Sequence, residues 1–171
     1  MITGTASGII YAAGIVLFAS IVCNSFAADT SQTSALTRAL SQVTLFAELT
    51  DAERDSLQTV TALRRGAAGE RIIEQGQTLN KIFIILDGQC EVRVNGEYLL
   101  TLSGQYLVGE VEFLDALPAS ADVILLEETD LIELNNAALT SLMEKQPRLG
   151  YVLMRKIAKI VGQRLRDMDS R

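Results

Sequence analysis

The chain has 171 residues and a formal net charge of −6 at pH 7; 49% of its residues are hydrophobic, 21% are charged, two are cysteines and none is histidine. This length suits one domain of ordinary size, and the absence of histidine excludes Ser-His and Cys-His nucleophiles and His-ligated zinc, so we do not expect an enzyme. The acidic balance gives no whole-chain electrostatic reason to expect nucleic acid, and two cysteines cannot build a disulfide framework.

Residues 1–28 are the first segment and contain no charged side chain, since the first charge in the chain is Asp29. As a helix this segment would extend about 42 Å, which exceeds the roughly 30 Å of a bilayer hydrocarbon core. We therefore predict a single transmembrane anchor. The first basic residues, Arg38 and Arg54, follow the segment, and this charge bias favours a cytoplasmic location for the soluble part.

A cleaved secretory signal is the competing interpretation of the same segment. Ser25, Phe26 and Ala27 form a small-residue cleavage pattern before Ala28, and removal of residues 1–27 would leave the rest periplasmic or secreted. A signal usually opens with Lys or Arg, whereas this segment offers only the terminal amine. A buried hydrophobic helix and an incorrect start codon are the remaining alternatives. As an anchor, the segment has enough small residues for close contact with other membrane-protein subunits.

A linker and a capped helix are predicted next. Residues 29–42 are typical of a linker because Ser, Thr and Gln are frequent in their first part. Thr50 and Glu53 then form a capping-box pattern at the start of a domain that covers residues 43–171. The apolar residues that follow at helical spacing are Leu57, Val60 and Leu63. This spacing predicts a helix of about three turns.

Short β-type runs separated by turn residues follow this helix. They are Arg71–Glu74, Lys81–Leu86, Glu91–Val94, Tyr98–Leu102, Val123–Leu126 and Asp130–Leu134. Asn95-Gly96 predicts a type I′ hairpin turn, because both central positions of that turn need positive φ. Many short strands with hairpin spacing indicate an antiparallel barrel or jelly roll. Cys90 lies beside one of these strands and is predicted to be a small core thiol.

A long amphipathic helix is predicted after Pro147. Its apolar stripe consists of Leu149, Leu153, Ile157, Ile160, Val161, Leu165 and Met168. Residues 145–171 carry eight Lys or Arg and two Asp, whereas residues 29–144 carry seven basic and nineteen acidic side chains. The basic face could lie near an anionic inner leaflet, or it could be the polar back of a helix that packs on the barrel or pairs in a dimer. Both interpretations follow from the amphipathic pattern.

Several motifs together resemble the cyclic-nucleotide-binding domain. They are Leu45-Phe46 with Leu49, the run Gly69–Gly76, the run Ile82–Gly88, and Gly109-Glu110 followed by Leu114 and Pro118. The resemblance covers about residues 43–167 and extends to the module of the catabolite activator protein, the protein kinase A regulatory subunit and cyclic-nucleotide-gated channels. It implies a mainly β fold with flanking helices, in which a jelly roll carries a phosphate-binding cassette and a terminal helix moves over the pocket.

The cassette of that family corresponds to residues 109–123. By resemblance, Gly109 matches the family glycine, and Glu110 matches the carboxylate that accepts from the ribose 2′-hydroxyl. The family arginine that pairs with the cyclic phosphate falls on Ala119, and its small neighbours fall on Ser120 and Ala121. The resemblance therefore implies that the nucleotide cassette of this chain is vestigial or altered, with Ala119 in place of the arginine.

Loss of the arginine matters because a planar guanidinium meets the phosphate with two hydrogen bonds in a site that excludes water. Removing one partner of such a pair costs about 2–5 kcal/mol. Asp122 and Glu112 add negative charge to the cassette. The backbone amides of Ser120 and Ala121 could still hold an anion, or a remote base could enter the pocket; the candidates for that base are Arg93 and Arg71. We expect no bound nucleotide.

The functional expectation combines the predicted anchor with the altered cassette. We expect a membrane-tethered accessory or regulatory subunit of a membrane protein complex, which acts by protein contact and has lost or altered nucleotide binding. No output domain is expected after the terminal helix, and that helix could also pair two copies. The alternative is a genuine cAMP or cGMP sensor whose terminal helix relays ligand binding to a partner.

Overall fold

The computed structural model describes residues 33–169, and the structural statements below concern that range. The compact unit that carries the site begins at Leu36. Within the described range, no helix is both long enough and apolar enough to cross a membrane. The anchor or signal predicted over residues 1–28 lies outside the described residues.

Five helices, one 3-10 turn and eight strands make up the described part of the chain. The helices are α1 (33–42), α2 (Asp51–Gln58), α3 (Glu110–Asp115), α4 (Asn136–Lys145) and α5 (Pro147–Asp169), with a 3-10 turn at Thr44–Phe46. The strands are β1 (Thr61–Gly66), β2 (Arg71–Ile73), β3 (Lys81–Ile85), β4 (Gln89–Val94), β5 (Glu97–Ser103), β6 (Tyr106–Val108), β7 (Asp122–Leu125) and β8 (Thr129–Asn135).

The strands form two four-stranded antiparallel sheets. One has the order β1-β8-β3-β6 and the other the order β2-β7-β4-β5, so strands that are distant in sequence pair with each other. This arrangement confirms the predicted jelly roll with flanking helices. Because β7 pairs with β4 and β4 pairs with β5, the cassette residues before β7 lie close to residues of β4 and β5.

Strand β3 separates two apolar cores. Side chains alternate between the two faces of a strand, and all four residues Ile82–Ile85 are buried. Ile82 and Ile84 belong to a core shared with the helices, whereas Phe83 and Ile85 belong to a core between the strands. The continuous apolar run in β3 is therefore explained by burial on both of its faces.

Helix α1 differs from the linker predicted over residues 29–42. Residues 33–42 are helical, and Leu40 is only 1% exposed in the core that also contains Phe46 of the 3-10 turn and Leu153 of α5. Burial of this apolar helix face outweighs the polar composition that indicated a linker. The folded domain therefore includes most of that region.

The α2 region also differs from its prediction. Helix α2 has eight residues and ends at Gln58, and Leu63 lies in β1, where it pairs with Ile132 of β8. Leu63 has helical spacing from Leu57 and Val60, but it belongs to strand β1. That strand is stabilised by pairing with β8, about 70 positions away in sequence. The capping box at Thr50 and Glu53 is confirmed, since Glu53 donates its backbone N–H to the Thr50 hydroxyl and accepts from the Thr50 backbone.

The predicted hairpin and terminal helix are confirmed. Asn95 and Gly96 have φ values of 54° and 81°, and they join β4 to β5 as a type I′ turn requires. Pro147 stands at the first position of α5, where its missing N–H costs no helical hydrogen bond. The first turns of α5 pack in the core that β3 shares with the helices, and its last turns lie beside residues of β4 and β5.

Candidate functional site

A cavity of about 450 Å³ opens between the second sheet, α3 and the end of α5. Most of its wall is apolar, including Val92, Leu100, Val108, Val161 and Leu165. Its polar side chains are few, as expected for a small-molecule site in which a few groups set orientation. The cavity volume lies within the range of such sites.

Gly109 positions the polar end of this cavity. Its φ of 84° is left-handed, and a Cβ there would lie 3.3 Å from the backbone oxygen of Lys81. Glycine therefore allows both the turn and the close approach of two chain segments. Helix α3 begins at the next residue, so Glu110 is held at the cavity wall with only 2% of its surface exposed.

Arg164 of α5 pairs with this buried carboxylate. Its guanidinium bonds Glu110, donates to the backbone oxygen of Leu107 at 2.5 Å, and lies 5.5 Å from the centre of the Tyr106 ring. Burial raises the pKa of Glu110 above its usual value, and the Arg164 charge acts in the opposite direction. The terminal helix is thus tied to the cassette by a partly buried ion pair.

A second carboxylate of α3 occupies the cassette turn. Glu112 Oε1 accepts from the backbone N–H and the hydroxyl of Ser120, with both distances 2.9 Å. Glu112, Ser120 and Ala121 all line the cavity. The Ser120 amide, which was a candidate for holding an external anion, therefore has the chain's own carboxylate as its partner.

Two expected cassette residues do not line the cavity. Ala119 is 3% exposed and packs in the core between the strands, where its backbone bonds Gly76 and Gln77 at 2.8 Å. Asp122 is also buried and accepts from the backbone N–H of Gln75 at 2.8 Å. The expectation that Asp122 adds negative charge to the pocket is therefore corrected, because its carboxylate is used by the neighbouring loop.

The two arginines considered as remote bases lie elsewhere. Arg93 pairs with Glu91, and Arg71 lies 3.8 Å from the carboxylate oxygens of both Glu74 and Asp122. The base that does enter the cavity, Arg164, was missed by sequence reasoning. Arg164 lies three residues after Val161, on the apolar side of a helix that the resemblance implied to cover the pocket. This position could have predicted that it reaches the cavity.

Comparisons with known proteins agree with this geometry. Residues 63–146 match the family model described as the cyclic nucleotide-binding domain. The chain contains a cyclic nucleotide-binding domain. The matched range includes the cassette and ends before α5, so Arg164 lies outside it.

Relatives and solved structures extend the comparison. The chain is 33% identical over 116 residues to the Pycsar effector protein XpPycTIR of Xanthomonas perforans, which covers 67% of this chain and 37% of that protein. It is 36% identical over 95 residues to a cAMP-dependent protein kinase regulatory subunit of Mycosarcoma maydis, covering 53% of this chain and 18% of that protein. The catabolite activator protein of Thermus thermophilus superposes with a TM-score of 0.61 at 25% identity, covering 73% of this chain and 59% of that one.

The chain spans well under half the length of these two curated relatives. As the resemblance implied, the matched domain is that of the cyclic nucleotide-binding family.

Proposed function

We propose that this chain is a membrane-tethered accessory or regulatory subunit that acts through protein contact, with cyclic nucleotide binding lost or altered. Residues 1–28 would supply the tether, and the cyclic nucleotide-binding domain would supply the contact surface. The observation that carries the proposal is the internal pairing of the cavity's polar groups. Glu112 bonds Ser120, and Arg164 bonds Glu110.

The charge of the cavity supports the same proposal. Among the described residues that line it, three are carboxylates, Glu110, Glu112 and Asp167, and one is a base, Arg164. A cyclic phosphodiester would bring a further negative charge into this partly enclosed space, where like charges repel more strongly than in water. With Ala119 in place of the arginine, no described lining residue supplies a second cation.

Calorimetric titration tests the proposal. The full chain in mild detergent is titrated with cAMP, cGMP and the two pyrimidine cyclic mononucleotides. Loss of a buried partner of an ion pair costs about 2–5 kcal/mol, so from a micromolar reference we expect a dissociation constant between about 30 μM and several millimolar. Saturable binding at low micromolar concentration would overturn it.

One observation favours the alternative, a genuine cyclic nucleotide sensor. Arg164 ties the terminal helix directly to Glu110, the carboxylate that matches the family's ribose contact. A ligand that took Glu110 as its acceptor would compete for that ion pair and release the end of α5. The same calorimetric titration decides between the two functions, because only the sensor requires measurable affinity.

The accessory role has its own test. The tagged full chain is purified from membranes in mild detergent, and its oligomeric mass and co-isolated subunits are measured. A defined complex with stoichiometric partner subunits is expected. Leu165 and Met168 are more than 60% exposed at the end of α5, so pairing of two copies through that helix is the second expected contact. A lone monomer would contradict the accessory role.

A further inference from the structure

Glu112 makes a contact that helix formation and core packing do not require. Its Oε1 accepts two hydrogen bonds from Ser120, one from the backbone amide and one from the hydroxyl, each at 2.9 Å. A backbone amide and a hydroxyl that point at one oxygen are the donors with which proteins bind external anions. Here an oxygen of the chain's own carboxylate stands in that position.

The surroundings of Glu112 show that it is not a packing residue. It borders the cavity beside β4 and β5, and it also borders a second cavity of about 470 Å³ between α3 and α4. The second cavity is lined by the hydroxyl-bearing residues Thr78, Thr140 and Ser141. Because open space lies on both sides of the side chain, its removal leaves no gap in an apolar core, and a truncated variant should fold.

We propose that the Glu112 carboxylate competes with phosphate. It occupies the anion-binding position formed by the backbone amide and the hydroxyl of Ser120, here called the seat, and thereby excludes phosphate-bearing ligands from the cavity. The ligand class that it excludes is a phosphate monoester or a cyclic phosphodiester. This inference rests on the proposed function, since it gives a physical cause for altered binding that is separate from the loss of the arginine at Ala119. It predicts that the seat becomes available once Glu112 is removed.

The test follows the Ser120 amide resonance of the isotope-labelled full chain during titration with inorganic phosphate, and then with cAMP. In the Glu112→Ala variant we expect a saturable shift of this resonance and a phosphate dissociation constant at least about tenfold lower than in the unmodified chain, because phosphate no longer has to displace the oxygen that accepts both Ser120 donors. Inorganic phosphate reports the seat alone, and cAMP reports whether the cavity also accepts a nucleotide.

Two matched variants distinguish occupation of the Ser120 seat by Glu112 from the effect of its negative charge. Asp115→Ala removes one carboxylate from the same helix, but Asp115 bonds the amide of Leu117 at 3.0 Å and does not line the cavity. It should therefore bind phosphate as weakly as the unmodified chain. Glu112→Gln removes the charge and keeps an oxygen that can accept from Ser120, so we expect a gain below about threefold. Equal gains in Glu112→Gln and Glu112→Ala, or in Asp115→Ala and Glu112→Ala, would overturn the proposal.

The Glu112 proposal and the proposed function are tested by different readouts. Micromolar binding of a cyclic nucleotide by the unmodified chain would overturn the proposed function, whatever the variants do. The Glu112 proposal is decided by the ratio of phosphate affinities between Glu112→Ala and the unmodified chain. If the Ser120 resonance of the unmodified chain shifts with phosphate as readily as that of the variant, the seat is open and the proposal is wrong.

Discussion

Glu110 shows how burial and pairing compete at a single carboxylate. Burial raises its pKa, and the Arg164 guanidinium only partly compensates. When the pKa of a carboxyl is higher in the folded chain than in the unfolded chain, the folded state binds the proton more readily. The contribution of Glu110 to the free energy of unfolding therefore declines as the pH rises above the ordinary value of the carboxyl, and it is most favourable in acid.

Substitution of Arg164 tests these opposing effects of burial and pairing on Glu110. Arg164→Met leaves a buried carboxylate without its cation, so the pKa of Glu110 rises further and the free energy of unfolding at pH 7.5 falls by about 1–3 kcal/mol. Part of this loss should be recovered at pH 5, because Glu110 then takes up a proton. Urea denaturation at the two pH values measures the effect.

The control for that experiment is Arg166→Met. Arg166 is exposed and bonds Gln163 on its own helix at 3.0 Å, so its loss should change the free energy of unfolding by less than about 0.5 kcal/mol at either pH. Equal losses for Arg164→Met at both pH values would contradict the assigned role of Glu110.

Cys90 gives a second prediction at the residue scale. Burial raises the pKa of its thiol to about 11, and the residue is 0% exposed. The thiolate is the reactive form, so in a Cys23→Ser background we expect negligible reaction with a thiol reagent at pH 8 in the folded chain. Reaction should become rapid in concentrated urea. Fast modification without denaturant would contradict the buried position.

At the scale of elements, local signals were sufficient where the cause is local. The capping box at Thr50, the Asn95-Gly96 turn and the stripe of α5 depend on neighbouring residues, and the sequence predicted them. Strands β1 and β6 were missed because β1 continues the helical apolar spacing of α2 and β6 has only three residues. The ion pair of the site was missed because its two residues are distant in sequence.

The limits of prediction at the site follow from that distance. Glu110 could be placed by resemblance, but its partner Arg164 is 54 positions away and outside the matched family range. Likewise, the bond from Ser120 to Glu112 depends on how the turn at Ala116 brings α3 back towards β7. Ala116 has a φ of 57°, an uncommon conformation for a residue other than glycine, and its side chain gave no local signal for it.

Two glycines, Gly96 in the hairpin and Gly162 in α5, test the turn and the helix. Gly96→Ala places a Cβ at a φ of 81° in the hairpin and should lower the free energy of unfolding by about 1 kcal/mol. Gly162→Ala is the matched change inside α5, where the nearest atom to a new Cβ is the flexible end of Arg166 at 3.7 Å. It should raise the free energy of unfolding by about 0.5–1 kcal/mol. Thermal denaturation of both variants measures the signs, and equal signs would contradict the type I′ turn.

At the scale of the whole molecule, most of the basic residues of α5 form ion pairs with acidic residues of the same domain. Basic residues of α5 pair with acidic residues around α2 and in the cassette: Arg148 with Glu53, Arg155 and Lys156 with Glu48, and Arg164 with Glu110. The hydrogen bond with Lys156 lowers the pKa of Glu48, and the hydrogen bond with Arg148 lowers that of Glu53. These pairs favour α5 as a helix packed on its own domain over one lying on an anionic leaflet.

Membrane attachment is then expected to depend on residues 1–28 alone. The full chain should remain in the membrane fraction after alkaline carbonate extraction, begin at Met1, and become extractable when residues 1–28 are deleted. Leu17→Arg places a charge in the middle of the apolar segment, where insertion costs about 2.5–3.5 kcal/mol, and should release much of the protein.

Thr30→Arg is the matched control, because it adds the same charge outside the segment and should leave the protein in the membrane fraction. A mature chain that begins at Ala28 and fractionates with soluble proteins would contradict the anchor. That outcome would favour the cleaved signal, and it would place the domain on the opposite side of the membrane from the cytoplasmic location that the positions of Arg38 and Arg54 favour.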